Sequence, residues 1–226
     1  MSLTIETPGA EARDVLTQVE AAARAAAVSD VRYALRLDLA ANAATFRGQI
    51  VTRFALAAGQ AGPVFLCFRG RTIHSLTLNG VAIESPDWNG YRLTLPAARL
   101  KAGAENLLEV SFENAYDTGG DGVFRFIDPE DQNEYVYTNF EPYEAHRMAP
   151  LFDQPDIKAK LCLTVVAPSA WRVFGNGAET ATSADGADGT LHTFAETPPL
   201  ASYLFSFAAG AFVGRRFEVS IPGRAT

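Results

Sequence analysis

From Asp30 onward the apolar residues of this chain recur at every second position, a period that dictates extended strands with one buried face. Val31, Tyr33, Leu35, Leu37 and Leu39 alternate with Arg32, Ala34, Arg36 and Asp38. Phe46, Gly48, Ile50, Thr52 and Phe54 alternate in the same way with Arg47, Gln49, Val51 and Arg53. VFLCF (64–68) is continuously apolar, which suits a central strand. Asn79-Gly80 separates two β-rich runs, TIHSLTL and VAI, and is the strongest short hairpin signal because a type I′ turn needs φ > 0 at both central residues. YRLTL (91–95) and NLLEVSFE (106–113) extend the pattern. A polar stretch over 113–134 reads as irregular. Strands resume at EYVYTNF (134–140), KLCLTVVA (160–167), WRVFGN (171–176), TLHTF (190–194) and YLFSFAAGAFVG (203–214). GAETATSADGADGT (177–190) reads as a mobile polar loop tip. About a dozen short strands punctuated by turns predict a mainly β fold, an antiparallel sandwich or curved sheet.

One long helix is predicted, over residues 9–28, where the sequence is rich in Ala, Glu and Arg. Val15, Leu16, Val19, Ala22, Ala23 and Ala26 form a narrow apolar stripe by which it would pack on the body. This divides the chain into a helical segment, 1–29, and a β domain, 30–226, with no internal repeat and no linker. The closing run FEVSIPGRAT is strand-like with no capping turn after it, which suggests a piece cut from a longer protein.

The net charge is −7 and the basic residues are scattered, so no stripe suited to nucleic acid exists. Residues 1–8 carry no secretory pattern, and no run approaches the roughly 18 apolar residues of a membrane span. Cys67 and Cys162 both lie in apolar runs and read as free thiols of a cytoplasmic protein. His74, His146 and His192 are far apart and none belongs to an H-E-x-x-H pair, so no metal site is expected in this chain. GGDG (119–122) opens no helix, and neither a P-loop nor a G-x-S-x-G elbow occurs. No complete catalytic apparatus is present, and no catalytic residue is assigned.

Residues 134–166 differ from the rest. A strand runs into Thr138-Asn139-Phe140-Glu141-Pro142, and a short helical turn is predicted near 142–149, with Pro142 at its first position and Glu141 and Glu144 in a capping arrangement. Asp153-Gln154-Pro155 makes a second turn. Polar and aromatic side chains therefore concentrate on a strand–turn–strand loop, a common place for binding residues. Each has a structural reading as well. Glu141 can complement the dipole of the short helix, and Asn139 can form the turn. Arg147 and Asp153 read as a pair that ties the two turns together, and His146 as a surface or loop histidine. Glu141 and Asp153 as a glycosidase carboxylate pair is the weaker reading, because Asp153 precedes Gln-Pro in a turn.

TNFEPYEAHRMAPLFDQPDIKAKLCLTV resembles the TQFEPxxARRxFPCFDEPxxKAxFxLTV signature of the aminopeptidase N family of zinc metallopeptidases, in register over about 25 residues. It is most similar to actinobacterial-type members that prefer alanyl or lysyl substrates. The approach FENAYDTGGDGVFRFIDPEDQNEYVY and the opening alternation after Asp30 are similar to the family as well. The resemblance implies the family's N-terminal, saddle-shaped β domain. The thermolysin-like domain, with its G-A-M-E-N loop and zinc helix, would begin soon after Thr226.

In the family the glutamate of the F-E-P motif binds the substrate's free α-ammonium, which implicates Glu141. The glutamine two positions earlier lines the first side-chain pocket, which implicates Asn139, here one methylene shorter. Ala149 and Leu151 replace the family's Phe and Cys and read as packing changes. The implied parent is a zinc aminopeptidase acting on peptide N-termini, where metal-polarised water attacks the first peptide bond with a glutamate as base. Zinc and base then lie in the catalytic domain, the expected partner, and this chain alone is expected to hydrolyse nothing. Two rival readings are a standalone, non-catalytic β-sandwich for protein contact and a carbohydrate-binding sandwich. The second needs exposed aromatics, whereas Trp88 and Trp171 sit beside strand starts and suit the core.

Overall fold

The computed structural model describes residues 14–215. One helix, α1 (Gln18–Ala27), leads directly into β1 (Val28–Asp38), and β2 (Thr45–Leu56) returns beside it. Short strands follow: β3 (Val64–Cys67), β4 (Thr72–Leu78), β5 (Val81–Ala82), β6 (Asp87–Trp88) and β7 (Arg92–Leu95), before the long β8 (Glu105–Ala115). Next come β9 (Gly122–Ile127) and β10 (Glu134–Asn139), a hairpin that ends at the unusual loop. Beyond the loop lie β11 (Ala159–Pro168), β12 (Arg172–Gly175), β13 (Glu179–Asp185), β14 (Gly189–Phe194) and β15 (Phe207–Gly210).

The strands form an eight-stranded sheet, β13-β14-β11-β1-β2-β8-β4-β5, a four-stranded sheet, β12-β15-β10-β9, and a three-stranded sheet, β3-β7-β6. The fold is thus mainly β and is not a closed barrel. The ladders are antiparallel with one exception: β1 and β11 pair in parallel, Leu35 opposite Leu163. Alternation decides which face is buried. Val31, Tyr33, Leu35 and Leu37 of β1 share the inward face with Phe46, Ile50 and Phe54 of β2, and all are buried. Each such side chain stabilises the fold by about 1.5–3 kcal/mol. All three sheets contribute to one contiguous cluster, so Val64, Val136 and Val173 of the small sheets share a core with Leu163 and Phe112. Gly48 is required there: a Cβ on it would lie 2.2 Å from the Phe112 ring.

The Asn79-Gly80 turn forms as expected, with φ of 54° and 80°. Other expectations are corrected. The stretch 113–134 contains β9, and the segment 177–190 is mostly the β13–β14 hairpin, turning at Gly186 (φ 70°). The run 203–214 breaks into a 3-10 turn, Ser202–Leu204, and the short β15. VFLCF supplies an edge strand of the three-stranded sheet instead of a central one. Cys67 and Cys162 are both free. Trp88 packs against the core, and Trp171 is buried.

The helix is also differently built. It begins at Gln18 behind a capping box in which Thr17 Oγ1 accepts from Glu20 N–H (3.3 Å) and Glu20 Oε2 accepts from Thr17 N–H (2.9 Å). The expected start, residues 9–13, lies outside the described residues. Val15 and Val19 of the predicted stripe are exposed, and the helix buries Arg24 and Ala27 instead. Among the described residues no helix is long and apolar enough to cross a membrane.

Candidate functional site

Strand β10, an inner strand of the four-stranded sheet, carries the site to one end of that sheet. Its Val136 points into the core, while Tyr135, Tyr137 and Asn139 share the outer face. Thr138 Oγ1 accepts from the Phe207 N–H at 3.1 Å and so locks the strand's end to β15. Phe140 then turns inward and is buried, an apolar anchor directly before Glu141. The Glu141–Pro142 peptide is cis, and a single 3-10 turn, Ala145–Arg147, follows. The predicted helix start at Pro142 and its glutamate cap are therefore corrected. The turn's N-cap is Glu144, and it makes no side-chain capping bond.

Glu141 is exposed at the rim, and its carboxylate has no hydrogen bond or ion pair among the described residues. Asn139, also exposed, donates from Nδ2 to the Gly120 carbonyl at 3.0 Å and so steadies the loop before β9. Its backbone pairs with Gly122. Asn139 closes β10 and Glu141 follows two residues later, and both are exposed.

The expected Arg147–Asp153 pair does not form. Arg147 reaches Asp117 (Nη1–Oδ2 2.5 Å) and Glu144, across from Gly122. Gly122 leaves room for it: its φ is +72°, and a Cβ there would come within 2.9 Å of Arg147 Cδ. Asn114, which sequence reasoning missed, donates to the carbonyls of Arg147 (2.6 Å) and Arg69 (2.9 Å).

His146 is also corrected, since its side chain is fully buried. Nδ1 lies 2.8 Å from Asp153 Oδ2 and Nε2 lies 2.8 Å from Asp14 Oδ1. Burial on its own lowers the imidazole's pKa, but the hydrogen bonds and charges of Asp14 and Asp153 outweigh it and raise the value to about 9. Asp153 spends its other oxygen on the Ser202 hydroxyl. Burial, followed by the adjacent Cys67, pushes the Tyr143 phenol up, so it stays neutral; its Oη lies 3.1 Å from Cys67 Sγ. No local pattern foretold these contacts, because Asp14, Cys67 and Ser202 are remote in sequence.

Zinc does not fit these residues. Among the described residues no group of three or more His, Cys, Asp or Glu side chains is placed to hold a metal ion. His146 is enclosed by its aspartates, and His192 is engaged by Glu179 at 2.7 Å. What the loop offers is an exposed carboxylate just beyond the end of β10, with no partner among the described residues.

The Peptidase M1 N-terminal domain family matches residues 29–204. The chain belongs to this family. Aminopeptidase N of Streptomyces lividans is 36% identical over 200 residues, covering 87% of this chain and 22% of that protein. A putative aminopeptidase-2 of Caenorhabditis elegans is 35% identical over 106 residues, 46% of this chain and 6% of the relative. The crystal structure of an M1 zinc metallopeptidase from Deinococcus radiodurans superposes with a TM-score of 0.67 at 17% identity, covering 81% of this chain and 42% of that one, a likeness of fold. The M1 N-terminal domain thus spans about a fifth of the Streptomyces relative. The matched range leaves Asp14 and α1 outside it.

Proposed function

We propose that this chain is the N-terminal domain of a zinc-dependent aminopeptidase, in which Glu141 receives the substrate's free α-ammonium and Asn139 borders the first side-chain pocket. The metal and general base belong, in this reading, to a catalytic domain outside the chain. The observation that carries it is the state of Glu141. Its neighbours Arg147, His146 and Glu144 are all engaged, whereas the Glu141 carboxylate is left open at the end of a pinned strand. A free ammonium is the group that separates a peptide's first residue from its interior, so a carboxylate at this position selects exopeptidase substrates.

A surface suited to the catalytic domain adjoins the site. On the outer face of the four-stranded sheet, Phe126, Tyr137 and Phe174 are 41%, 39% and 46% exposed, too much aromatic surface to leave to water without use. Ring pairs line it, Phe124 with Tyr137 at 5.1 Å and Phe174 with Phe212 at 5.7 Å, around the small Ala208 and Gly210 between them. The Streptomyces relative is several times longer than this chain, and in this reading the catalytic domain is the occupant of this face.

The test is Glu141→Ala in the longer enzyme. Substrate recognition falls about a hundredfold or more in kcat/KM while zinc content stays the same, the result expected when a charge-paired contact is lost. Unchanged turnover overturns the assignment. A native protein of this chain's own size, found with antibody in source extract, would favour the standalone module instead.

A further inference from the structure

The loop that carries Glu141 is gripped by a segment outside the matched family region. His146 donates its backbone N–H to Asp153 Oδ2 at 3.0 Å, and its carbonyl accepts from the Arg69 N–H at 3.0 Å. Its ring lies between Asp153 and Asp14, 2.8 Å from each. Carboxylates accept hydrogen bonds and do not donate, so a ring between two of them donates from both nitrogens as an imidazolium. The other charged or titratable groups around it are Arg69, which donates to Asp14 at 3.0 Å, Arg24, which donates to the Asp153 carbonyl at 3.0 Å, and Tyr143, whose ring centroid is 4.5 Å away.

Helix α1 adds a second hold next to the first. Arg24 Nε donates to Gln154 Oε1 at 3.0 Å, and Gln154 Nε2 donates to the Ala21 carbonyl at 2.8 Å. Val19 of the helix and Val15 just before it face solvent, while Arg24 and the small Ala27 are the buried residues of the helix. A helix attached through directional polar bonds fixes the loop's position, which apolar packing on the sheet would not do as specifically.

We propose that residues 14–27 form a clamp that positions the Glu141 loop, with His146 as the positioning residue through which Asp14 acts. Its effect on peptide binding rests on the role given to Glu141 above; the clamp itself does not. The first test uses Asp14→Ala in this chain. Amide hydrogen exchange at 141–149 accelerates about tenfold or more, the effect of losing one charge-assisted hydrogen bond, while exchange in β1, β2 and β8 is unchanged. Asp14→Asn keeps an acceptor for Nε2 and restores most of the protection. Unchanged exchange at 141–149, or equal acceleration throughout the sheet, overturns the clamp. In the longer enzyme Asp14→Ala raises KM for peptides with a free amine about tenfold, leaves kcat within about twofold, and is rescued by Asp14→Asn. Faster loop exchange with unchanged KM upholds the clamp and overturns the role assigned to Glu141.

Discussion

Raising the pH above neutrality should destabilise this domain, and His146 sets the size of the effect. Its pKa rises from 6.5 to about 9 on folding because Asp14 and Asp153 hold the charged form more strongly than burial opposes it. Between those values the folded chain binds a proton that the unfolded chain has released, so stability falls as pH rises. The contribution is complete below pH 6.5, declines by about 1.4 kcal/mol per pH unit, and is gone once the pH passes the folded value. From a shift of this size the total is about 3 kcal/mol, a large share of a domain's usual stability. Other shifted groups act elsewhere. The Asp14 pKa is lowered, so its contribution disappears in acid; burial, then Glu196, raises Cys162 from 9.0, and burial raises Tyr33 and Tyr116 from 10.0, so these act at higher pH. Urea unfolding followed by Trp88 and Trp171 fluorescence at about pH 6, 7, 8 and 9 measures the decline as a falling midpoint at constant m. Asp14→Asn removes one flanking charge and should end the decline at a lower pH. A free energy flat from about pH 7 to 9 refutes a buried imidazolium.

The remaining predictions concern packing and surface. Gly48→Ala forces a methyl into the fully buried Phe112 ring and should cost about 1–3 kcal/mol in urea unfolding; a loss below about 0.5 kcal/mol would show that the ring can move aside. Replacing Phe126 and Phe174 with Lys should reduce dye binding and light scattering of this chain and weaken its assembly with the rest of the longer enzyme, and unchanged values in both would show that the aromatic face docks nothing.

What the sequence made legible followed from burial pattern. β1, β2, β8 and β11 each bury alternate residues, so their period of two was visible without a partner in view. β13 buries none of its residues, and it therefore read as a polar loop although it pairs with β14, with one irregularity at Thr180. β9 was hidden for a related reason: Phe124 and Phe126 point outward, and Arg125 points inward beside Glu134, reversing the usual code. The helix was recognisable from composition, but its buried side was not, because a buried Arg24 depends on Gln154, Asp153 and Cys67. Arg147 and His146 were noticed and given the wrong surroundings. Which carboxylate meets which cation in that loop is decided by the return of the Asp117 turn and the Asp14 bend, which no spacing within 139–153 encodes.

The open state of Glu141 and the exposure of the neighbouring sheet face are two aspects of one arrangement. A carboxylate and an ammonium 4 Å apart attract by about 1 kcal/mol when fully surrounded by water and about 4 kcal/mol at an effective dielectric of 20. At an exposed rim the first figure applies, too little to separate a terminal amine from the solvent's own cations. The second becomes available when another surface excludes water from the rim. Phe124, Tyr137 and Asn139 share the outer face of β9 and β10 leading to Glu141, so a partner seated on the aromatic face would also close over the carboxylate. The domain thus holds the Glu141 loop in position through Phe140, Thr138 and the His146 bridge. Under the proposed function, assembly would supply the strengthening of that carboxylate. Under that function, recognition of the amine would be a property of the joined domains, with the direction of the carboxylate contributed by this one.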